Sequence, residues 1–142
     1  MKNRFILVAD TSHTLPQILK QELALTEYAL LHAKNGQEAI DYLDLLRTQI
    51  AVAVIDLELP GVSGLDVIWR LARQKQPTST RIIATTAIEV PLLKDVVKNF
   101  GVDVLVQTPV PVQDWRTIIN SVLNMELAGS SEVRTLTVGA LG

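Results

Sequence analysis

The sequence predicts an α/β fold in which five helices cover both faces of a doubly wound, five-stranded parallel sheet. Five short apolar runs have the length of buried strands, and a segment with apolar residues at helical spacing follows each of them. Strands that alternate with helices are typical of parallel sheets with right-handed crossovers. Acidic or hydroxyl residues end three of the runs, which places polar side chains at the carboxyl ends of strands.

The first half of the chain supplies three strands and three helices. The strands are predicted at 5–9, 27–33 and 51–55. The helices are predicted at 15–23, 39–46 and 65–72. The first and third strands stop at acids, Asp10 and Asp56. Pro16 suits the opening turn of the first helix, whereas Pro60 and Gly64 indicate a loop before the third.

The second half supplies the remaining two strands and two helices. The strands are predicted at 81–85 and 102–106, and the helices at 89–100 and 114–127. Gly101 is expected to end the fourth helix. The fifth carries an apolar stripe made by Trp115, Ile118, Ile119, Val122 and Leu123. Trp69 lies on a helical stripe and is interpreted as a packing residue. We interpret His13 and His32 as structural or exposed residues, because their spacing fits no metal site.

Composition excludes several classes of protein. The 142 residues suffice for one domain, and 13 basic against 15 acidic side chains leave no excess of positive charge for nucleic acid. There is no cysteine, which excludes disulfides and thiolate metal sites. No apolar stretch reaches the ~20 residues of a membrane span, and the apolar run near the N-terminus is too short for a signal peptide. We therefore expect a cytoplasmic protein that binds neither membrane nor nucleic acid through this domain.

Three strand ends predict a site. Asp10, Asp56 and Thr86 follow or end different strands, and the carboxyl ends of parallel strands meet at one edge of a sheet. Two carboxylates there suit a hard cation such as Mg²⁺. A carboxylate beside such a cation can attack phosphorus, and a hydroxyl can hold the transferred group. Taken singly, Asp10 could instead cap a helix, and Thr86 could bond the backbone at a helix start.

Five segments together resemble the receiver domains of two-component response regulators, over roughly residues 4–125. They are Ile6–Asp10, Ala33–Ala39, Val54–Leu65, Thr85–Ala87 and Thr108–Pro109. The segment VIDLELPGVSGL is the most specific, because its Asp, Pro and Gly are all in register with the phosphoacceptor loop of that family. The resemblance implies a flavodoxin-like fold with strand order 2-1-3-4-5.

The resemblance also implies roles for site residues. Asp56 would accept phosphate from a histidine kinase or a phosphotransfer protein. Mg²⁺ would be bound by Asp10, Asp56 and the backbone carbonyl of Glu58. Thr86 and Ala87 would hold the phosphoryl group and act as the switch. Such a domain is not an enzyme beyond phosphorylation and dephosphorylation of its own aspartate.

Three positions depart from the family pattern. Thr11 stands where a second acid is usual, and Thr108 replaces the lysine that precedes the proline of the last strand. Both changes are expected to impair Mg²⁺ binding and phosphorylation. Leu105 replaces an aromatic switch residue, which puts the coupling to an output face in doubt.

Two further predictions concern the edges of the site. Pro109 would follow a cis peptide bond. The Glu58 carboxylate could reach the pocket and replace the lost acid.

Two functions of different kinds stay open. One is a phosphoaccepting receiver; the other is a pseudo-receiver that keeps the fold and acts as a dimerisation or docking module without phosphotransfer. A flavodoxin is disfavoured because the loop at 11–14 has no glycine and aromatic residues make up only 4% of the chain. A phosphatase is disfavoured because Asp56-Leu57-Glu58 is not an Asp-x-Asp motif.

The tail and the oligomeric state complete the predictions. Residues 1–127 are predicted to form the receiver-like domain, and 128–142 a linker with the start of a truncated effector domain. Residues 134–141 resemble the opening strand of the winged-helix domain in OmpR-type transcription regulators. A homodimer is expected through the fourth helix, fifth strand and fifth helix. Because Val104 and Ile118 stand where charged residues are common, we expect an apolar dimer face beside Asp103.

Overall fold

The computed structural model describes residues 4–73, 80–89, 93, 95, 97 and 100–124, together with the backbone of 134–137. The described residues contain six strands: β1 (Arg4–Ala9), β2 (Tyr28–Ala33), β3 (Ile50–Asp56), β4 (Arg81–Thr86), β5 (Val104–Gln107) and β6 (Arg134–Thr137). All six are parallel and lie in the order β2-β1-β3-β4-β5-β6. The predicted order of the first five strands is therefore confirmed, and β6 adds a further strand beside β5.

Within the described ranges, four helices with defined bounds connect or follow these strands. They are α1 (Thr14–Glu22), α2 (Gly36–Leu46), α3 (Gly64–Ala72) and α4 (Val112–Leu123). The predicted helix over 89–100 lies mostly outside the described residues, although Leu93, Asp95 and Val97 are helical. The predicted helix over 114–127 is α4, which begins two residues earlier because Pro111 is its N-cap. The part of the prediction after Asn124 lies outside the described residues.

The sheet separates two apolar clusters, as expected for a doubly wound fold. Alternate residues of β3 point to opposite faces: Ala53 and Ile55 belong to one cluster, Val52 and Val54 to the other. The first cluster is completed by buried residues of α2 and α3, and the second by those of α1 and α4. Each fully buried aliphatic side chain stabilises the fold by about 1.5–3 kcal/mol.

The prediction that Val104 and Ile118 form an apolar dimer face is wrong. Val104 is 3% exposed and Ile118 is 1% exposed, and both pack in the cluster between the sheet and α4. They are apolar because they belong to the core, so they cannot contact a second copy. Leu105 is fully buried on the opposite face of β5. In the described part of the chain, no helix is long and apolar enough to cross a bilayer.

Candidate functional site at the carboxyl edge of the sheet

Neighbouring strands bring the predicted site residues to one edge. Asp10 directly follows β1, Asp56 ends β3 and Thr86 ends β4. These three strands are adjacent in the sheet and run in the same direction. The side chains of Asp10 and Glu58 are close enough to Asp56 for their charges to affect its pKa. The edge thus brings the carboxylates of Asp10, Asp56 and Glu58 near the hydroxyl of Thr86.

Asp10 is held by its backbone and by the turn after it. Its N–H donates to the Ala33 carbonyl oxygen (3.1 Å), and its Oδ1 accepts from the Ser12 N–H (2.8 Å). His32 Nε2 donates to the Asp10 carbonyl oxygen (2.8 Å). The N-cap of α1 is His13, which makes no side-chain capping bond. Asp10 therefore does not cap that helix, and one of its carboxylate oxygens stays free of described hydrogen bonds.

Asp56 is a half-buried acid at the start of a tight loop. Its Oδ1 accepts from the Glu58 N–H (2.9 Å). Burial raises the pKa of Asp56; the hydrogen bond from Glu58 opposes this shift, and the negative charges of Asp10 and Glu58 reinforce it. The loop returns so closely that a Cβ on Gly64 would lie 2.0 Å from the Asp56 carbonyl oxygen. Gly64 is therefore required for the backbone to pass the acid.

The end of β4 offers two hydrogen-bond donors, and Glu58 accepts from both. Thr86 Oγ1 donates to Glu58 Oε1 (3.0 Å), and the Ala87 N–H donates to the same oxygen (2.8 Å). Thr86 Oγ1 also accepts from the Ile88 N–H (3.0 Å). Thr86 is 1% exposed, so its hydroxyl orientation is set by these partners. The Glu58 carboxylate does enter the site, but it lies on the hydroxyl side of it.

Thr108 connects β5 to the same place. Its N–H and its Oγ1 both donate to the Thr86 carbonyl oxygen, at 2.8 Å and 3.2 Å. The Thr108–Pro109 peptide bond is cis. Where the family pattern has a lysine, a short hydroxyl thus bonds the backbone of the strand that carries Thr86. The sequence predicted only that Thr108 replaces the lysine; its contact with Thr86, 22 positions away, had no signal in the sequence.

Among the described residues, no basic side chain forms an ion pair with Asp10, Asp56 or Glu58. The ion pairs that the structure shows join Arg70 to Asp44 and Arg116 to Glu22, away from the carboxyl edge of the sheet. Thr11 is exposed and supplies no carboxylate. Across the described ranges, no group of three or more His, Cys, Asp or Glu side chains is arranged to hold a metal ion. The two carboxylates of Asp10 and Asp56 still fit Mg²⁺, which binds through one or two carboxylates and keeps several waters.

The sequence of this chain is similar to those of known signalling proteins. The family model for the response regulator receiver domain matches residues 6–120. A cyclic di-GMP phosphodiesterase from Thermotoga maritima is 25% identical over 118 residues, which cover 83% of this chain and 30% of that protein. The transcriptional regulatory protein YkoG from Bacillus subtilis is 24% identical over 135 residues, which cover 95% of this chain and 58% of that protein.

Solved structures show the same fold. The chemotaxis response regulator CheY4 of Vibrio cholerae superposes with a TM-score of 0.73 at 22% identity, over 84% of this chain and 98% of that one. The chain spans less than two thirds of the two curated relatives above, and the phosphodiesterase is matched over less than a third of its length. Since the family match covers most of the chain, and the sheet has the order of such domains, this protein belongs to the response regulator receiver domain family of two-component signal transduction.

Proposed function

We propose that this receiver domain accepts a phosphoryl group on Asp56 from a histidine kinase or a phosphotransfer protein. One observation carries the proposal: the Asp56 carboxylate ends β3 between a second acid, Asp10 directly after β1, and the donor pair of Thr86 and Ala87 at the end of β4. A nucleophile, a cation ligand and donors for a phosphoryl group thus share one edge. We place this exchange in the cytoplasm.

The transfer needs little chemistry from the protein. A carboxylate oxygen of Asp56 attacks the phosphorus of a phosphohistidine. The new O–P bond makes an acyl phosphate, while the P–N bond breaks and its electron pair stays on the imidazole, which then takes up a proton. Apart from this reaction of its own side chain, we assign the domain no enzymatic activity. Positioning and charge stabilisation supply most of the catalysis in such transfers.

Mg²⁺ would be bound by the carboxylates of Asp10 and Asp56 and by the Glu58 carbonyl oxygen. Bound there, it would neutralise charge on the transferring phosphoryl group. Thr11 contributes no acid and Thr108 no cation, so we expect weak Mg²⁺ binding and slow phosphorylation. Two unit charges 4 Å apart interact by about 4 kcal/mol at an effective dielectric constant of 20, and solvent at this half-exposed site reduces that figure.

Intact mass spectrometry tests the proposal directly. The chain is incubated with acetyl phosphate and Mg²⁺, and we expect the mass of one added phosphoryl group in the wild type and none in Asp56→Asn. A parallel titration measures Mg²⁺ binding to both proteins. If the wild type gains no phosphoryl group and binds no Mg²⁺, the phosphoacceptor function is wrong.

That negative outcome would favour a pseudo-receiver, a docking module that works without phosphotransfer. The contact between Glu58 and the donor pair supports this second function, because the donors already have an anion as partner. Thr11 and Thr108 support it as well, since both remove a charge that phosphoryl chemistry uses.

The domain organisation is also a proposal. We infer that residues 1–127 form the receiver unit and that 128–142 form a linker and the start of an effector domain, as in transcription regulators. The match to YkoG supports this, because it covers 95% of this chain but only 58% of that regulator. The backbone pairing of β6 with β5 adds that residues 134–137 lie along the receiver sheet in this chain.

A homodimer through the predicted helix at 89–100, β5 and α4 completes the proposal. The buried Val104 and Ile118 take no part in it, and Asp103 is engaged internally, since its Oδ2 accepts from the Ile82 N–H (2.7 Å). β6 occupies the free edge of β5. We therefore expect the dimer to depend on whether β6 is in place.

A further inference from the structure

The donor pair at the end of β4 has no unused proton. The Thr86 hydroxyl carries one proton, which it donates to Glu58 Oε1 (3.0 Å). The Ala87 backbone carries one N–H, which it donates to the same oxygen (2.8 Å). The Ile88 N–H donates to Thr86 Oγ1 (3.0 Å) and so directs the hydroxyl proton away from itself. Both donors therefore point at a single anionic oxygen.

The anion belongs to the same loop as the phosphoacceptor. Glu58 lies two residues after Asp56, and its N–H donates to Asp56 Oδ1 (2.9 Å). The backbone of Glu58 thus contacts the acceptor carboxylate while its side chain bonds the end of the neighbouring strand. A phosphoryl group on Asp56 would extend from this carboxylate and bring anionic oxygens to the same donors. Two anions cannot share two protons that are already in use, and they also repel each other.

We propose that Glu58 is an internal competitor of the phosphoryl group: in the unphosphorylated chain its carboxylate occupies the donor pair of Thr86 and Ala87, and stable phosphorylation of Asp56 requires its displacement. The competition rests on the proposed phosphoacceptor function; the occupancy of the donor pair does not. In the unphosphorylated chain, the Glu58 carboxylate therefore makes the hydrogen bonds with Thr86 and Ala87 that an oxygen of the phosphoryl group would make. Glu58 itself is exposed, so its carboxylate can leave without disturbing the core.

Amide exchange tests the occupancy without any phosphodonor. Hydrogen exchange of the Ala87 N–H is measured by NMR in the wild-type chain, Glu58→Ala, Glu58→Gln and Glu89→Ala. Losing its acceptor should speed exchange of this exposed amide about tenfold in Glu58→Ala. Glu58→Gln keeps an acceptor oxygen without the charge, so its Ala87 exchange rate should lie between those of the wild type and Glu58→Ala. Glu89→Ala removes an exposed acid three residues beyond Thr86 and should match the wild type.

Phosphorylation tests the competition. At a fixed concentration of acetyl phosphate and Mg²⁺, intact mass gives the phosphorylated fraction at successive times. We expect Glu58→Ala to reach a higher fraction than the wild type by about threefold or more, with Glu58→Gln between them and Glu89→Ala unchanged. Asp56→Asn in the Glu58→Ala background should show no gain, which would assign the added group to Asp56.

The two measurements fail separately. Equal exchange of Ala87 in Glu58→Ala and the wild type overturns the occupancy, whatever the phosphorylation result. If the wild type is phosphorylated and Glu58→Ala gains no more, the competition alone is wrong. If neither protein is phosphorylated, the phosphoacceptor function and the competition both fail, and faster exchange in Glu58→Ala would still show that the carboxylate holds the donor pair.

Discussion

Asp56 makes the stability of the fold depend on pH. Its pKa is raised in the folded chain, first by burial, so the folded state binds more protons than the unfolded state between the two pKa values. The free energy of unfolding therefore falls as the pH rises through that window, and the cost of the charged form persists above it. Below the ordinary pKa of an aspartate the carboxyl is neutral in both states, and this cost disappears.

Asp56→Asn should consequently stabilise the chain at neutral pH. We expect a gain of no more than about 1 kcal/mol, because the carboxyl is half exposed and solvent screens its charge. Urea unfolding from about pH 3 to pH 8 without Mg²⁺ would measure the difference between variant and wild type. The difference should grow with pH and level off; a constant difference, or a destabilised variant at neutral pH, would contradict this account.

Gly64 is the second residue at which the site restricts the sequence. A Cβ there would lie 2.0 Å from the Asp56 carbonyl oxygen, so Gly64→Ala must displace backbone. We expect a loss of about 1–3 kcal/mol in the free energy of unfolding and a lower phosphorylated fraction. Gly61→Ala is the comparison, because no atom lies within 4 Å of an added Cβ there and only its positive φ of 71° opposes alanine, at a cost of about 1 kcal/mol. A loss in Gly64→Ala that is no larger than this would show that close packing at Gly64 is unimportant.

The site also shows where prediction from single residues ends. Asp10, Asp56 and Thr86 could be placed together because each follows an apolar strand, and parallel strands end at a common edge. The direction of the Glu58 side chain could not be predicted, since its partners lie 28 and 29 positions away and only the folded sheet brings them near. His32 gave no signal either, because a histidine within a strand is compatible with many partners.

At the scale of elements, apolar runs identified the strands well and their limits less well. The fifth strand was expected at 102–106, yet its pairing begins at Val104, opposite Ile83. The side chain and N–H of Asp103 bond the Ile82 backbone instead, which delays the start of the ladder. Such a shift depends on the neighbouring strand and has no signature in the run itself.

Helix α4 allows a test of which of its apolar residues are structural. Ile118 is 1% exposed and packs under the sheet, whereas Val112 in the first turn is 50% exposed. Ile118→Ala should lower the free energy of unfolding by about 2–4 kcal/mol through lost burial and the cavity left behind. Val112→Ala should change it by less than about 0.5 kcal/mol. Urea denaturation of both variants measures these changes. A loss in Ile118→Ala as small as that in Val112→Ala would contradict a structural role for Ile118.

At the scale of the whole molecule, β6 decides what the sheet can contact. A strand at the edge of a sheet presents unpaired backbone groups that readily pair with another chain. β6 covers that edge of β5, as the register from Val104↔Arg134 to Gln107↔Thr137 shows. We expect a chain shortened to residues 1–127 to self-associate at lower concentration than the 142-residue chain.

Light scattering coupled to size-exclusion chromatography, over a dilution series, would compare the two lengths. Circular dichroism and thermal unfolding of the shorter chain would first establish that it is folded. A dimerisation constant that is the same for both lengths would show that β6 does not oppose association.

The direction of β6 has one more consequence. Because it runs parallel to the other strands, Thr137 lies at the same rim of the sheet as Asp56. Three strand spacings separate β6 from β3, which amounts to about 14 Å. A fluorophore attached at Thr137 would therefore lie a short distance from a contact quencher placed in the acid loop. Because such quenching acts only at short range, the pair would read out loop rearrangement in solution without any knowledge of the output that the signal controls.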